Sequence, residues 1–124
     1  MKRVLIVDDD QYIREIYQEV LIGDGYEVAT AIDGKTGLEK ILNGGYDLIL
    51  LDVMLPYIDG IGILKELGDK KPKLKNGPII LLTNLVQDVV TKEALECGAK
   101  ECLNKAEMNP GEFLIKVNRI LKKD

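Results

Sequence analysis

The sequence predicts an α/β fold in which five parallel strands form a doubly wound sheet with helices on both faces. Runs of four apolar residues, expected for strands buried on both faces, occur three times, at residues 4–7, 48–51 and 79–82. Segments with apolar residues at helical spacing alternate with the strands, which is typical of a parallel sheet.

The polarity of the strands predicts their order. Two shorter segments, near residues 27–30 and 101–104, mix polar and apolar residues and suit the edges of the sheet, whereas the three apolar strands suit its centre. The flavodoxin-like order 2-1-3-4-5, with five helices, satisfies both requirements. No linker or repeat interrupts residues 1–124, so a single domain is expected.

The predicted helices begin at residues that commonly cap helices: Asp10, Asp33, Asp59 and Asn109. The Gly-Asp-Gly segment 23–25 is expected to end the first helix. The fourth helix is expected to run from about Val86 to Cys97 and to end at Gly98. Segment 68–77 is rich in lysine, proline and glycine and is expected to be an exposed loop.

Composition and charge narrow the range of functions. The net charge of −4 argues against direct contact with nucleic acid, and no apolar segment is long enough to span a membrane. The first residues lead into a strand and not into a signal peptide, so a cytoplasmic location is expected. The absence of histidine excludes histidine acid–base catalysis, and Cys97 and Cys102 are expected to be reduced thiols that bind no metal.

Polar side chains gather where the predicted strands end. Asp8 and Asp9 follow strand 1, and Asp52 ends strand 3. Thr83 and Lys105 lie at the ends of strands 4 and 5. Because parallel strands end at the same edge of a sheet, these side chains are expected to line one crevice. Three carboxylates repel one another, so a hard cation such as Mg²⁺ and the lysine are expected to neutralise them.

Phosphoryl transfer onto a carboxylate uses all of these groups. Asp52 is the expected nucleophile, Mg²⁺ and Lys105 are expected to screen the phosphoryl oxygens, and the Thr83 hydroxyl is expected to bond one of them. Two other functions fit less well. A glycosidase needs a sugar-sized cleft, and a flavin or nucleotide site needs a loop after strand 1 that attracts phosphate, whereas the acidic segment 8–10 repels it.

Each of these residues, taken alone, has an ordinary structural interpretation. Asp10 is read as a helix cap, and Asp8 and Asp9 could form a solvated turn. Thr83 could simply end a strand, and Lys105 could be a surface lysine. The functional interpretation depends on all of them falling at the carboxyl ends of strands.

The sequence resembles the receiver domain of the two-component response regulators over its whole length. Four motifs and the closing helix carry the resemblance: VLIVDDD at 4–10, LLDVMLPYIDG at 50–60, LLTN at 81–84 and CGAKECLNK at 97–105. The resemblance implies that Asp52 is the phosphoacceptor and a metal ligand and that Asp9 binds Mg²⁺ directly. It also implies that Asp8 acts mainly through a metal-bound water and that the Met54 backbone carbonyl completes the protein ligands.

The resemblance also implies partners. The phosphodonor is expected to be a sensor histidine kinase or a histidine phosphotransfer protein, and the output is expected to reach a downstream effector protein or domain. The chain is expected to be a monomer or a weak, phosphorylation-dependent dimer. It is not expected to be an enzyme in the ordinary sense, since it would catalyse only its own phosphorylation and dephosphorylation.

Two alternatives remain within this resemblance. A pseudo-receiver would lack the phosphoryl cycle, but the full set of acidic, threonine and lysine residues argues against it. A Mg²⁺-dependent phosphatase usually has a second aspartate two residues after the nucleophile, where this chain has Met54.

Two positions depart from the family pattern, since Ala106 replaces the usual proline and Cys102 replaces the usual aromatic residue. Output is therefore expected to leave mainly through the segment around Asn84 to Asp88.

Overall fold

The structure, a computed structural model, describes residues 1–84 and 88–121, in which strands and α-helices alternate. In chain order the elements are β1 (Arg3–Val7), α1 (Gln11–Gly23), β2 (Glu27–Ala31), α2 (Gly34–Asn43), β3 (Leu48–Asp52), α3 (Gly60–Asp69), β4 (Ile79–Thr83), α4 (Asp88–Glu96), β5 (Glu101–Asn104) and α5 (Pro110–Ile120). A single 3₁₀ turn, Lys105–Glu107, follows β5 and was not anticipated from the sequence.

The five strands form one parallel sheet in the order β2-β1-β3-β4-β5, so the predicted fold and strand order are confirmed. The register pairs Val7 with Leu51, and Asp52 with Leu82. The carboxyl ends of the strands therefore meet at one edge of the sheet, which is called the carboxyl edge below. Strands β1, β3 and β4 are central, as the apolar character of their residues requires.

Alternate residues of the central strands supply two separate cores, one on each face of the sheet. One face packs against α2, α3 and α4, and its strand residues are Leu5, Val7, Ile49, Leu51 and Leu81. The other face packs against α1 and α5, and its strand residues are Val4, Ile6, Leu48, Leu50, Ile80 and Leu82. On this second face the Tyr17 ring of α1 stacks on the Phe113 ring of α5 with centroids 3.9 Å apart.

The predicted caps hold four helix starts in place. The Asp10 carboxylate accepts from Tyr12 N–H, and the Asp33 and Asp59 carboxylates cap α2 and α3 in the same way. Asn109 begins α5 with a complete capping box. The predicted start of α4 at Val86 lies outside the described residues, as does most of the segment expected to carry the output. The caps fix the loops of the carboxyl edge because each one closes a strand-to-helix connection there or adjoins it.

Residues 70–77 of the lysine-rich segment form a largely exposed loop, as predicted, whereas Gly68 and Asp69 belong to the end of α3. The loop is also firmly attached to the rest of the fold. The Asn76 side chain donates to Ile41 O at 2.9 Å and accepts from Tyr46 N–H at 3.1 Å. Lys73 N–H donates to Leu42 O near the end of α2, and Gly77 N–H donates to Tyr46 O before β3, both at 2.7 Å. None of the helices in the described part of the chain combines the length and apolar character that a membrane span requires.

The first turn of α2 packs tightly against the loop that follows β3. Gly34 N–H donates to Pro56 O at 3.1 Å, and a Cβ added at Gly34 would lie only 1.6 Å from Ile58 O. The glycine is therefore required by close packing of two backbones. This contact joins the β2–α2 connection to the loop that begins at Asp52.

We expect Gly34→Ala to destabilise the fold by about 1–3 kcal/mol, because the added methyl group must displace the backbone of the β3–α3 loop. Gly23→Ala is the matched control, since a Cβ there meets nothing within 4 Å. Chemical unfolding of both variants measures the difference. Equal stability of the two variants would show that the loop moves aside without cost.

Candidate functional site

Four polar side chains are buried at the carboxyl edge. Asp8 follows β1 and is 0% exposed, and Asp52 ends β3 and is 4% exposed. Thr83 ends β4 and Lys105 follows β5, and both are also buried. Among the side chains that the structure describes, and apart from tyrosines, no other polar or charged one is buried. Since charged groups are rarely buried without a partner or a function, this concentration marks the candidate site.

The Lys105 ammonium joins two of the carboxylates. Its Nζ lies 2.8 Å from Asp8 Oδ2 and 3.1 Å from Asp52 Oδ2, and all three side chains are shielded from solvent. Burial alone lowers the pKa of Lys105, but hydrogen bonds and attraction from Asp8 and Asp52 outweigh burial and raise the pKa above its ordinary value. The lysine is therefore a fixed positive charge at the base of the site.

The Asp52 carboxyl group is held in an environment that disfavours its charge. Burial, together with the negative charge of Asp8, raises the pKa of Asp52 to about 6, although Lys105 acts in the opposite direction. Its Oδ1 accepts a hydrogen bond from Met54 N–H at 3.3 Å. One lysine thus does not neutralise the buried acids completely, and a further positive charge would stabilise the ionised form.

The acidic groups have the arrangement of a metal site. Carboxylate oxygens of Asp8, Asp9 and Asp52 all lie within 4.8 Å of one another. All three donors are oxygens, which suits a hard divalent cation. Asp9 is exposed, whereas the other two are buried, so an ion could reach the cluster from the solvent side. The residues therefore fit a bound metal ion, and their donor set does not by itself name the ion.

The site opens into a cavity of about 620 Å³. Its lining residues are Asp9, Asp10, Asp52, Val53, Met54, Thr83, Asn84, Val90 and Lys105. The structure thus brings the predicted site residues together around this cavity, except that Asp8 is not among the lining residues. Asp8 lies beneath the cavity, where its Oδ1 accepts from Asp10 N–H at 2.9 Å.

Two residues of the site escaped the sequence analysis. Arg14 of α1 donates from Nη1 to the Asp8 carbonyl at 2.8 Å and so holds the β1–α1 connection. Burial raises the pKa of Tyr17, while the positive charge of Lys105 lowers it and the negative charges of Asp8 and Asp52 raise it, which places the Tyr17 hydroxyl within their field. The signal for Arg14 was its position one turn after the Asp10 cap, on the side of α1 that faces the strand end.

Comparison with known proteins agrees with this geometry. The model of the response regulator receiver domain family matches residues 4–118. The transcriptional regulatory protein CpxR homolog of Haemophilus influenzae is 38% identical over 123 residues, which are 99% of this chain and 52% of that protein. The chemotaxis protein CheY of Treponema pallidum is 33% identical over 123 residues, which are 97% of this chain and 83% of that protein.

Solved structures show the same architecture. A CheY-like receiver domain protein from Methanospirillum hungatei JF-1 superposes with a TM-score of 0.84 at 32% identity, over 99% of this chain and 95% of that one. The receiver domain of the Francisella response regulator 1452 gives a TM-score of 0.85 at 32% identity, over 99% and 98%. The chain spans about half the length of the transcriptional regulators that it matches. From the family match and these relatives, the chain belongs to the response regulator receiver domain family.

Proposed function

We propose that residues 1–124 act as one phosphorylatable receiver domain, which takes a phosphoryl group from a phosphohistidine onto Asp52 and then changes its contacts with partner proteins. The observation that supports this most directly is the buried Asp52 carboxylate, held by Lys105 at the base of an open cavity. A carboxylate placed in this way is oriented for attack on an electrophile that enters from solvent.

The proposed transfer is a direct displacement at phosphorus. An oxygen of Asp52 forms the new P–O bond while the P–N bond to the donor imidazole breaks, and the imidazole leaves with the bonding electron pair. Lys105 and Met54 N–H fix the orientation of the carboxylate before the donor arrives. We assign Lys105 and the Thr83 hydroxyl to the stabilisation of the phosphoryl oxygens, since both line the cavity beside Asp52.

We propose Mg²⁺ as the metal, held by Asp9, Asp52 and the Met54 backbone carbonyl. Asp8 is assigned an indirect role, because it does not line the cavity, whereas Asp9 and Asp52 do. When bound, the ion supplies positive charge that offsets the carboxylates and the transferred phosphoryl group. The protein groups alone leave the site short of positive charge, which supports the need for a cation.

We further propose that the chain does not turn over external substrates. A phosphatase that uses an aspartyl intermediate needs a proton donor near the nucleophile, and the Met54 side chain at the corresponding position carries no ionisable group. The proposed partners are a sensor histidine kinase or histidine phosphotransfer protein as donor and an effector protein or domain as receiver of the signal. The acidic net charge of −4 supports protein partners over direct contact of this domain with nucleic acid.

The proposal predicts covalent labelling at Asp52. Incubation with acetyl phosphate and Mg²⁺ is expected to add one acid- and base-labile phosphoryl group, detected by intact mass. Asp52→Asn is expected to lose the adduct, because the amide is not a nucleophile under these conditions. Asp59→Asn is the matched control, since Asp59 is an exposed helix cap at the same edge. Equal labelling of the two variants would contradict the assignment.

The metal assignment predicts a selective effect of Asp9→Ala. At pH 7, Mg²⁺ is expected to raise the melting temperature of the unmodified chain, because the ion binds only the folded cluster. Asp9→Ala is expected to lose most of this increase. Asp10→Ala is expected to keep it, although loss of the α1 cap lowers its basal stability by about 1 kcal/mol. Identical melting curves with and without Mg²⁺ for the unmodified chain would argue against the site.

The raised pKa of Asp52 predicts a pH dependence in metal-free protein. In the folded state the Asp52 carboxyl group keeps its proton up to about pH 6, whereas in the unfolded chain it loses the proton near the ordinary pKa of 3.8. This group therefore lowers the free energy of unfolding as pH rises from about 4 to about 6, by up to about 3 kcal/mol. Denaturant unfolding in a chelator at several pH values measures the effect. The decline is expected to be smaller in Asp52→Asn, and parallel profiles for the two proteins would contradict it.

A further inference from the structure

Tyr57 has an unusual backbone conformation. Its φ of 71° makes it the only residue other than glycine with positive φ in the part of the chain that the structure describes. This left-handed region is unfavourable for residues with a Cβ, and it is least expected for a bulky aromatic residue. Such strain persists only where the surrounding structure enforces the conformation.

The fold requires the turn but not the tyrosine. Ile58 N–H donates to Pro56 O at 2.9 Å, which closes a turn around Tyr57. Gly34 N–H donates to the same Pro56 oxygen at 3.1 Å. The close contact between Gly34 and Ile58 prevents the turn from relaxing. Any residue at position 57 must therefore accept positive φ, and glycine or asparagine would do so with less strain.

The aromatic ring gains nothing from the interior of the protein. Tyr57 is 84% exposed, so it buries too little surface to offset the strain of its backbone. A contact within the described chain therefore does not account for the residue. The fold enforces the strained turn, whereas the presence of an aromatic side chain there is better explained by a surface that covers the ring in a complex.

We propose that Tyr57 is an anchor that packs against an apolar surface beside the phosphohistidine of the donor protein. The inference rests on the proposed function and names the surface that the donor would contact. The loop of Tyr57 begins at Asp52, and Met54 in the same loop lines the cavity and is 75% exposed. Tyr12 and Ile32 are exposed apolar residues that follow β1 and β2 at the same edge.

The donor is the partner that this position fits best. A phosphohistidine must enter the cavity to reach Asp52, so the protein surface around it necessarily approaches the loop that forms the mouth. The exposed carboxylates of Asp9, Asp10 and Asp59 at this edge favour a donor with lysine or arginine around its apolar patch. The same charges disfavour a second copy of this chain docked edge to edge, because like charges would face each other.

The test compares two phosphodonors. One is acetyl phosphate, which needs no docking surface, and the other is an autophosphorylated histidine kinase fragment that labels the unmodified chain. Tyr57→Asn removes the ring and suits the backbone, whereas Tyr57→Phe keeps the ring. Leu74→Asn is the matched control, because Leu74 is a similarly exposed apolar residue, 61% exposed, in the loop before β4 at the opposite edge.

Tyr57→Asn is expected to lower kcat/KM for transfer from the kinase fragment by about tenfold, mainly through KM, as expected for loss of an aromatic anchor. Its labelling by acetyl phosphate is expected to be unchanged and its melting temperature higher. Tyr57→Phe and Leu74→Asn are expected to behave like the unmodified chain with both donors.

Four results would overturn the inference. Equal transfer from the kinase fragment to Tyr57→Asn and to the unmodified chain would show that the ring is not contacted. An equal loss with acetyl phosphate would place Tyr57 in the chemistry of Asp52 and not in docking. A change in oligomeric state on Tyr57→Asn would assign the ring to a contact between copies. Failure of acetyl phosphate to label the unmodified chain would overturn the proposed function itself, and this inference with it.

Discussion

The ion pairs of Lys105 with Asp8 and Asp52 are the contacts on which the carboxyl edge depends. They join side chains that follow or end three different strands, β1, β3 and β5, at a point where the sheet interior gives way to solvent. Removal of the ammonium would leave two buried carboxylates facing each other. Buried ion pairs of this kind contribute little net stability compared with apolar packing, because both partners lose their hydration. A functional requirement explains their presence better than stability does.

The same cluster accounts for the two opposite tasks assigned to the site. The carboxylates attract a cation, whereas the phosphoryl group carries negative charge and would be repelled by them alone. Lys105 and the proposed metal would serve both tasks, since each positive charge can neutralise carboxylates before transfer and phosphoryl oxygens after it. The raised pKa of Asp52 indicates that Lys105 alone does not fully offset the burial of this carboxyl group and the negative charge of Asp8. We therefore expect the proposed reactivity of Asp52 to depend on occupation of the acidic cluster by a cation.

Much of this arrangement could be predicted because it follows from rules that act along the chain. Strand polarity determines which strands are central, and parallel strands bring their last residues to one edge, so Asp52 and Thr83 could be placed together from sequence alone. Contacts that depend on helix rotation could not. The stack of Tyr17 on Phe113 and the bond from Arg14 to the Asp8 carbonyl require the exact rotation of α1 about its axis. The positive φ of Tyr57 could not be predicted either, because local preference places glycine or asparagine, and not tyrosine, in that conformation.

The lysine-rich loop before β4 has a consequence for encounters at long range. Exposed lysines at positions 70, 71, 73 and 75 lie at the amino edge of the sheet, opposite the aspartates of the carboxyl edge. The hydrogen bonds of Asn76 hold this loop in place, so the separation of charge is a permanent property of the folded chain. These lysines and the aspartates of the carboxyl edge therefore place opposite charges at opposite edges of the sheet. We expect the acidic mouth to attract a basic partner that approaches in solution, and added salt to slow this association more than it changes the proposed chemistry at Asp52.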